Sequence, residues 1–430
     1  MCVENKIVSE CIELTYEGYG VILYKNKRFF VPNLLPGEKA EIIITKNHKN
    51  YGYGKVLKLL TLSKHRNSLF EFSNAASLIH LSYPEQLKWK QQYLENLFSR
   101  NLNISLSTIN KIKWFDPIYN YRNKVRYPIF VDQQNIYFGE YLWKSYQLRK
   151  TKATILIQDT LIEVSDFVLA NLNTFFKNEL SKVRFIKEVS FRTNKEQEIQ
   201  ITFDLDPSYD LPKKFIQLLC QKSNIIEIYS RKNLQSELIY SRKEFSITLS
   251  DKKFKISSDN FFQVNLTVFE NILKDIAKYL QNKTNKNTLI DAYCGVGVFS
   301  QFFSNFFRKS IGIEVVESSI HLAKINSTIN GLKNINYYAG KVEDVVFKKE
   351  IDVSDSVLIV DPPRAGLENK VINWINQKQI NSIVYLSCDP RTLTRDLKIF
   401  LDKEYKIVQI TPYEMFPNTH HIETLVFLEK

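Results

Sequence analysis

Thr288-Leu289-Ile290-Asp291-Ala292-Tyr293-Cys294-Gly295-Val296-Gly297-Val298-Phe299-Ser300 decides the fold of the C-terminal part of this 430-residue chain. An apolar run of strand length passes without a linker into a Gly-x-Gly turn and then into residues that open a helix. Strand, tight turn and helix in that order begin a βαβ unit, and glycines at the turn let a ligand approach the backbone. The alternation continues outward. Strand-like segments recur at Ser310–Glu314, Ile335–Tyr338, Ser356–Val360, Ser382–Leu386, Tyr405–Thr411 and Thr424–Leu428. With helical stretches between them, these predict a doubly wound, largely parallel, Rossmann-like α/β domain over residues 256–430.

Upstream the pattern is different. Residues 1–66 read as short strands with Gly and Pro punctuation: Ile12–Thr15, Glu17–Gly20, Val21–Tyr24, Arg28–Val31, Ala40–Ile44 and Tyr51–Leu57. Such a run predicts a small OB-like β-barrel. Between residues 21 and 66 there are 10 Lys or Arg against only Glu38 and Glu41, interleaved with Tyr24, Phe29, Phe30, Tyr51 and Tyr53. Phe29 and Phe30 are read first as core. The lysines are not explained by a core, and basic charge with aromatic rings is the composition of a nucleic-acid surface. Ser82-Tyr83-Pro84-Glu85 reads as a capping box that starts a helix running to about Arg100, with Leu87, Leu94, Leu97 and Phe98 on one stripe. Residues 67–255 otherwise read as a central α+β domain, and the helix near 83–101 is expected to pack on the catalytic domain. The cluster Arg122, Lys124, Arg126 reads first as a solvated face and second as an RNA contact.

Charge supports this division. The net charge is +13, and residues 1–150 hold 22 basic and 12 acidic side chains, whereas residues 286–430 hold 17 of each. A general enrichment in lysine does not produce that asymmetry, which points to a polyanion partner for the front half. No window approaches 18 uninterrupted apolar residues and Met1–Lys6 contains no signal-peptide core, so a membrane span is excluded and a cytoplasmic protein is expected. Cys2, Cys11, Cys220, Cys294 and Cys388 are scattered without a Cys-x-x-Cys pair, which excludes a readable zinc site or disulfide framework.

Four motifs carry chemistry. At the Gly-x-Gly turn, Glu314 ends the next strand and can accept from ribose hydroxyls. The turn alone does not separate a dinucleotide from S-adenosylmethionine, but a missing third glycine and the preceding Asp291 favour the latter. Val360-Asp361-Pro362-Pro363-Arg364-Ala365-Gly366 places a carboxylate at a strand end, with two prolines fixing a non-helical backbone after it. Ser387-Cys388-Asp389-Pro390-Arg391 puts a thiol at the end of the next strand and the start of a helix. That position stabilises a thiolate, with Arg391 and Arg395 expected to add to it, so Cys388 is the candidate nucleophile. In Met415-Phe416-Pro417-Asn418-Thr419-His420-His421-Ile422-Glu423, the adjacent histidines are not read as metal ligands, while Glu423 is the candidate base.

Taken in order, these motifs, with Ser258-Asp259-Asn260-Phe261-Phe262-Gln263-Val264-Asn265, resemble the RNA 5-methyluridine methyltransferase family over nearly the whole chain. Residues 1–66, with Glu17-Gly18-Tyr19-Gly20 and Val31-Pro32-Asn33-Leu34-Leu35-Pro36-Gly37-Glu38, resemble its TRAM domain. The resemblance implies S-adenosylmethionine as methyl donor, bound by Gln263, Tyr293, Glu314 and Asp361, with Cys388 as nucleophile and Glu423 as general base. It implies methylation of uridine C5 in RNA, with 23S rRNA favoured by the TRAM domain and the T-loop of tRNA as the alternative, by a monomer. Many relatives carry four iron–sulfur cysteines in the stretches matching Ser73–Tyr83 and Ile157–Asp159; neither stretch contains cysteine here, so no cluster is expected. Val298 stands where some relatives have Asn, which puts one donor contact in doubt. A non-catalytic RNA-binding or ribosome-assembly factor is the reading of another class, and the joint presence of Gln263, Glu314, Asp361, Cys388 and Glu423 argues against it. Cytosine-C5 methylation is disfavoured by Pro363-Arg364, where those enzymes place a cysteine.

Overall fold

The computed structural model describes residues 6–70, 72–141, 146–150, 155–284, 286–349 and 351–430; Cys2 lies outside them. Two compact units form, interleaved along the chain. One takes residues 1–114, 388–394 and 411–423, the other residues 115–387, 395–410 and 424–430. Among the described residues no helix is long and apolar enough to cross a membrane.

The first unit begins with strands β1 (Lys6–Glu10), β2 (Glu13–Leu14), β3 (Gly20–Tyr24), β4 (Lys27–Val31), β5 (Lys39–Asn47) and β6 (Tyr51–Leu59). They form one sheet in the order β1-β5-β6-β4-β3-β2, and β1 at one edge also approaches β3, so the sheet curls on itself. Cys11, Ile22, Phe29, Val31, Leu34, Ala40 and Ile42 fill its interior. Of the segment Glu17–Gly20, expected as a strand, Glu17 to Tyr19 instead form the turn between β2 and β3, and Gly20 begins β3. Gly18 adopts φ +80° and donates its N–H to Thr15 O, a left-handed conformation that a strand does not accommodate. Beneath the sheet, the buried Glu38 carboxylate receives two bonds from Arg66, at 2.6 and 2.7 Å, and the N–H groups of Leu35 and Ser63.

Helix α1 (Tyr83–Asn101) follows. Ser82 occupies its N-cap position with Pro84 in the first turn, but the Ser82 side chain makes no capping bond, and Glu85 faces His65 and Lys88 instead. The expected capping box is therefore not formed. The buried stripe also differs from the expectation: it is Gln86, Lys90, Leu94 and Phe98, at strict i, i+4 spacing, with two polar members. Leu87 and Leu97 are only half-buried.

The second unit opens with β7 (Lys124–Asp132), β8 (Asn135–Tyr141), β9 (Leu148–Lys150), α2 (Asp159–Phe175), β10 (Ile186–Thr193), β11 (Ile199–Leu205), α3 (Lys213–Leu219), β12 (Ile225–Lys232) and β13 (Gln235–Ser241). The seven strands make one sheet, β13-β12-β11-β10-β7-β8-β9. Period-two alternation gives it an apolar face, on which Tyr127, Ile129, Val189, Phe191, Ile201 and Phe203 pack with Val164, Val168, Leu172 and Phe215 of the two helices. The other face carries Lys124, Arg126, Arg192 and Arg231. A hairpin, β14 (Ser246–Leu249) and β15 (Lys252–Lys255), then leads into the last domain.

That domain alternates α4 (Leu266–Gln281), β16 (Thr288–Ala292), α5 (Val298–Phe303), β17 (Lys309–Glu314), α6 (Glu317–Ile329), β18 (Ile335–Ala339), α7 (Val342–Lys348), β19 (Ser356–Val360), α8 (Asn369–Lys378), β20 (Ser382–Ser387), α9 (Pro390–Asp402), β21 (Lys406–Tyr413) and β22 (Glu423–Glu429). The sheet order is β18-β17-β16-β19-β20-β22-β21. Strands β18 to β20 pair in parallel and β22 pairs antiparallel to β20. The continuous apolar runs of β16, β19 and β20 are buried throughout, as expected for strands covered by helices on both faces. The doubly wound domain read from the sequence is thus present. The order reverses between β16 and β19, and the crevice at the carboxyl ends of such a pair is where ligands bind in open α/β sheets.

Candidate active site

At this crevice the chain leaves β16 through a turn that no ordinary backbone makes. Tyr293, Gly295 and Gly297 all have positive φ, at 67°, 53° and 86°. Gly297 is fixed by space as well, because a Cβ there would lie 2.5 Å from Tyr337 Oη and 2.8 Å from Gln301 Nε2. Tyr293, which bears a side chain in the left-handed region, is held at a cost of order 1 kcal/mol, and such residues cluster at ligand sites. A cleft of about 400 Å³ opens at this turn, lined by Phe261, Gln263, Tyr293, Gly295, Val298 and Asp361 among others.

Three carboxylates surround the turn. Glu314, at the end of β17, accepts the N–H groups of Gly295 at 3.2 Å and Val316 at 2.9 Å, tying the turn to the neighbouring strand. Asp291 is fully buried. Its Oδ2 accepts the Ser300 N–H at 2.7 Å, while Oδ1 has no hydrogen-bond partner among the described residues. Burial pushes its pKa up to about 7, with Asp361 and Glu314 adding to the rise, and burial does the same to Asp361, also to about 7. Burial disfavours the charged form of both carboxylates, and a cation near them would lower that cost.

The segment that brings Gln263 to the cleft is held from the central sheet. Asn123 bonds Gln263 O through its side chain at 3.2 Å and Val264 O through its backbone at 3.1 Å. The buried Arg192 guanidinium donates to Ser257 O at 3.0 Å and Asn260 O at 2.6 Å. Of the basic cluster noted in the sequence, Arg126 pairs with Glu188 and Asp204. Lys124 is pushed down to about 7, by burial first and then by Arg192, Arg126 and Arg231.

Cys388 and Glu423 belong to the other unit. β20 and β22 pair up to Ser387 opposite Thr424, and Cys388 and Glu423 are the residues that adjoin this last pair in sequence. Cys388 is half-buried and Glu423 is 2% exposed. Cys388 immediately precedes Asp389, which caps α9 by accepting the Arg391 N–H at 2.9 Å. The two arginines expected beside the thiol are committed to carboxylates. Arg391 grips Asp389 through Nε and Nη2 and lies over the Tyr16 ring, and Arg395 bonds Asp396 and the carbonyls of Ala365 and Leu367. Of the adjacent histidines, His420 bonds Ser77 Oγ through Nδ1 at 2.9 Å.

Sequence reasoning missed the side chains behind Glu423. Lys90 and Gln86, both buried on α1, reach the loop 414–421, Lys90 through Glu414 at 2.5 Å and Gln86 through Asn418. The only signal was two polar residues at positions where the helix period required apolar ones.

On the curled sheet the aromatic residues divide. Phe29 is core, whereas Phe30, His48, Tyr51 and Tyr53 form a ring cluster with centroids 4.8 to 6.1 Å apart. Tyr51 is exposed, as are Lys46, Lys49 and Lys55 around it.

The model of the tRNA (uracil-5-)-methyltransferase family matches residues 82–430, and that of the TRAM domain matches residues 14–57. An uncharacterized RNA methyltransferase of Oceanobacillus iheyensis is 32% identical over 99% of this chain and 97% of its own length. One of Staphylococcus aureus is 30% identical over 96% of each chain. Among solved structures, the Pyrococcus abyssi tRNA (uracil-54, C5)-methyltransferase in complex with S-adenosyl-L-homocysteine superposes with a TM-score of 0.74. It covers 98% of this chain and 100% of that one at 23% identity, a likeness of fold.

Proposed function

The chain belongs to the tRNA (uracil-5-)-methyltransferase family, and on that premise we propose that it methylates C5 of a uridine in 23S rRNA, with Cys388 as nucleophile and Glu423 as general base. It is an S-adenosylmethionine-dependent RNA (uracil-C5)-methyltransferase with a TRAM domain. The donor supplies an electrophilic methyl group. In this reading Gln263, Tyr293, Glu314 and Asp361 bind it, and Asp291, buried two residues before Tyr293, adds negative charge behind the cleft. We read the chain as three domains, 1–66, 67–255 and 256–430.

The observation that supports the catalytic pair most directly is the antiparallel pairing of β20 with β22, which ends at Ser387 opposite Thr424, the residues that adjoin Cys388 and Glu423. C5 of uracil is a poor nucleophile. Addition of the Cys388 thiolate to C6 forms an Sγ–C6 bond and an enolate whose C5 takes the methyl group. Glu423 then accepts the C5 proton, the electron pair forms C5=C6, and the thiolate leaves. Dividing the reaction in this way replaces one hard step with easier ones, and a positioned base contributes roughly 10²- to 10⁴-fold. Reaching C6 requires an unstacked base, in a loop or flipped from a helix. The basic, aromatic face of the TRAM sheet is the expected handle on the RNA backbone.

A second reading places the same chemistry on a tRNA uridine, because the structural neighbour spanning 98% of this chain acts on tRNA. The test supplies labelled S-adenosylmethionine with unmodified 23S rRNA and with tRNA, to wild type and Cys388→Ala. Label in 23S rRNA that requires Cys388 is the expected result. Label in tRNA alone selects the second reading, and labelling by Cys388→Ala at the wild-type rate removes Cys388 from its role.

A further inference from the structure

A fully buried lysine faces a fully buried glutamate in the unit that carries Cys388 and Glu423. Lys90 Nζ donates to Glu414 Oε1 at 2.5 Å, to His421 O at 3.0 Å and to Phe416 O at 3.5 Å. One turn earlier on α1, Gln86 receives the Asn418 N–H at 3.1 Å and donates to Asn418 Oδ1 at 3.1 Å and Leu81 O at 2.8 Å. Two side chains of one helix therefore hold the loop at residues 414, 416, 418 and 421, and only Ile422 separates its last anchor from Glu423.

Stability does not explain this arrangement. Both members of the pair have side chains 0% exposed, Glu414 Oε2 has no partner among the described residues, and burial pushes the Lys90 pKa down and that of Glu414 up. Replacing such a pair by apolar residues of similar volume is commonly neutral or stabilising. What an apolar pair cannot do is hold two loop carbonyls.

We propose that Lys90, assisted by Gln86, is a positioning residue for the reaction: it fixes the 414–421 loop so that the Glu423 carboxylate stands where it can take the C5 proton. The proposal rests on the reading of Glu423 as base. In that step the C5–H bond breaks, the proton passes to Glu423, C5=C6 forms and the Sγ–C6 bond breaks. If the base is displaced, addition and methyl transfer proceed while elimination stalls.

The experiment compares wild type, Glu423→Gln and the double variant Lys90→Met/Glu414→Leu on 23S rRNA and tRNA transcripts with labelled S-adenosylmethionine. Single-turnover methyl transfer, steady-state turnover at saturating RNA, and denaturation-resistant protein–RNA adduct are all measured. The double variant is expected to keep its melting temperature and its methyl-transfer burst, to lose turnover by 10-fold or more, and to accumulate adduct as Glu423→Gln does. A merely structural role for the pair would lower the melting temperature or the burst without trapping adduct. Wild-type turnover without adduct in the double variant, beside adduct in Glu423→Gln, overturns the proposal alone. Full turnover without adduct in Glu423→Gln overturns the assignment of the base and the proposal with it. If the double variant is recovered unfolded, Gln86→Met carries the same measurements, and wild-type turnover without adduct in it overturns the proposal.

Discussion

Changing Asp291 to Asn separates what the donor cleft costs the fold from what it contributes to binding. The Asp291 carboxyl is fully buried, accepts one N–H from Ser300, and leaves Oδ1 without a donor. Burial first, then Asp361 and Glu314, raise its pKa from an ordinary 3.8 to about 7. Between those values the folded chain retains a proton that the unfolded chain releases, so the stability associated with the protonated form declines as pH rises from about 4 to about 7 and stays low above that. At ~1.4 kcal/mol per pH unit the penalty at pH 8 reaches roughly 4 kcal/mol. Asn carries no charge, but its amide leaves an N–H buried where no acceptor stands, a cost of about 1–3 kcal/mol. The variant without donor should therefore be about 1–3 kcal/mol more stable than wild type at pH 8; its advantage should vanish between roughly pH 4.5 and 6, and at lower pH it should be the less stable of the two. Urea unfolding of both proteins across this range measures the difference, and calorimetric titration with S-adenosylhomocysteine measures the other side, where the variant should bind at least 10-fold more weakly. Parallel pH profiles of stability for the two proteins would refute the argument from burial, and equal affinity would remove Asp291 from the donor site.

Two other expectations follow from buried or surface charge. His80 is 0% exposed with neither ring nitrogen partnered among the described residues, and burial, then Arg66, lower its pKa to about 3. The unfolded chain gains a proton below about pH 6.5 that the folded chain refuses, so the stability His80 contributes is present above that pH and lost as pH falls; the loss from pH 6.5 to 5 is ~2 kcal/mol. His80→Leu should flatten this part of the unfolding profile relative to wild type, and an unchanged profile would contradict the burial argument. Replacing Lys46, Lys49 and Lys55 together by Gln should weaken RNA binding and reduce the slope of log K against log salt by up to about 3 × 0.7 to 0.9. An unchanged slope would move the RNA contact off the TRAM sheet.

What the sequence made legible is what local chemistry dictates. A strand that must be buried on both faces is written as an uninterrupted apolar run, so β16, β19 and β20 were readable, as were the turn glycines and the motif residues at the strand ends. Of the four donor candidates, Gln263, Tyr293 and Asp361 line one cleft, and Glu314 bonds the turn beside it. Where a neighbour distant in sequence decides the conformation, the reading failed. Glu17–Gly20 has strand-like residues, yet Gly18 lies so close to Leu78 and Ser77 O that a Cβ would meet them at 2.8 and 3.0 Å; only a turn through a glycine fits there. On α1 the hydrophobic period pointed to Leu87 and Leu97, whereas the helix buries Gln86 and Lys90 because their acceptors, on Asn418, Glu414 and His421, lie more than 300 positions away in sequence. A buried polar side chain is tolerable only with its partners in place, and a single helix cannot announce partners it does not contain. The two errors share a cause and a location. Both lie in the first unit, one where Gly18 meets Ser77 and Leu78 and the other where α1 meets residues 414–421, and on the proposal made above the second contact is the one that positions the base.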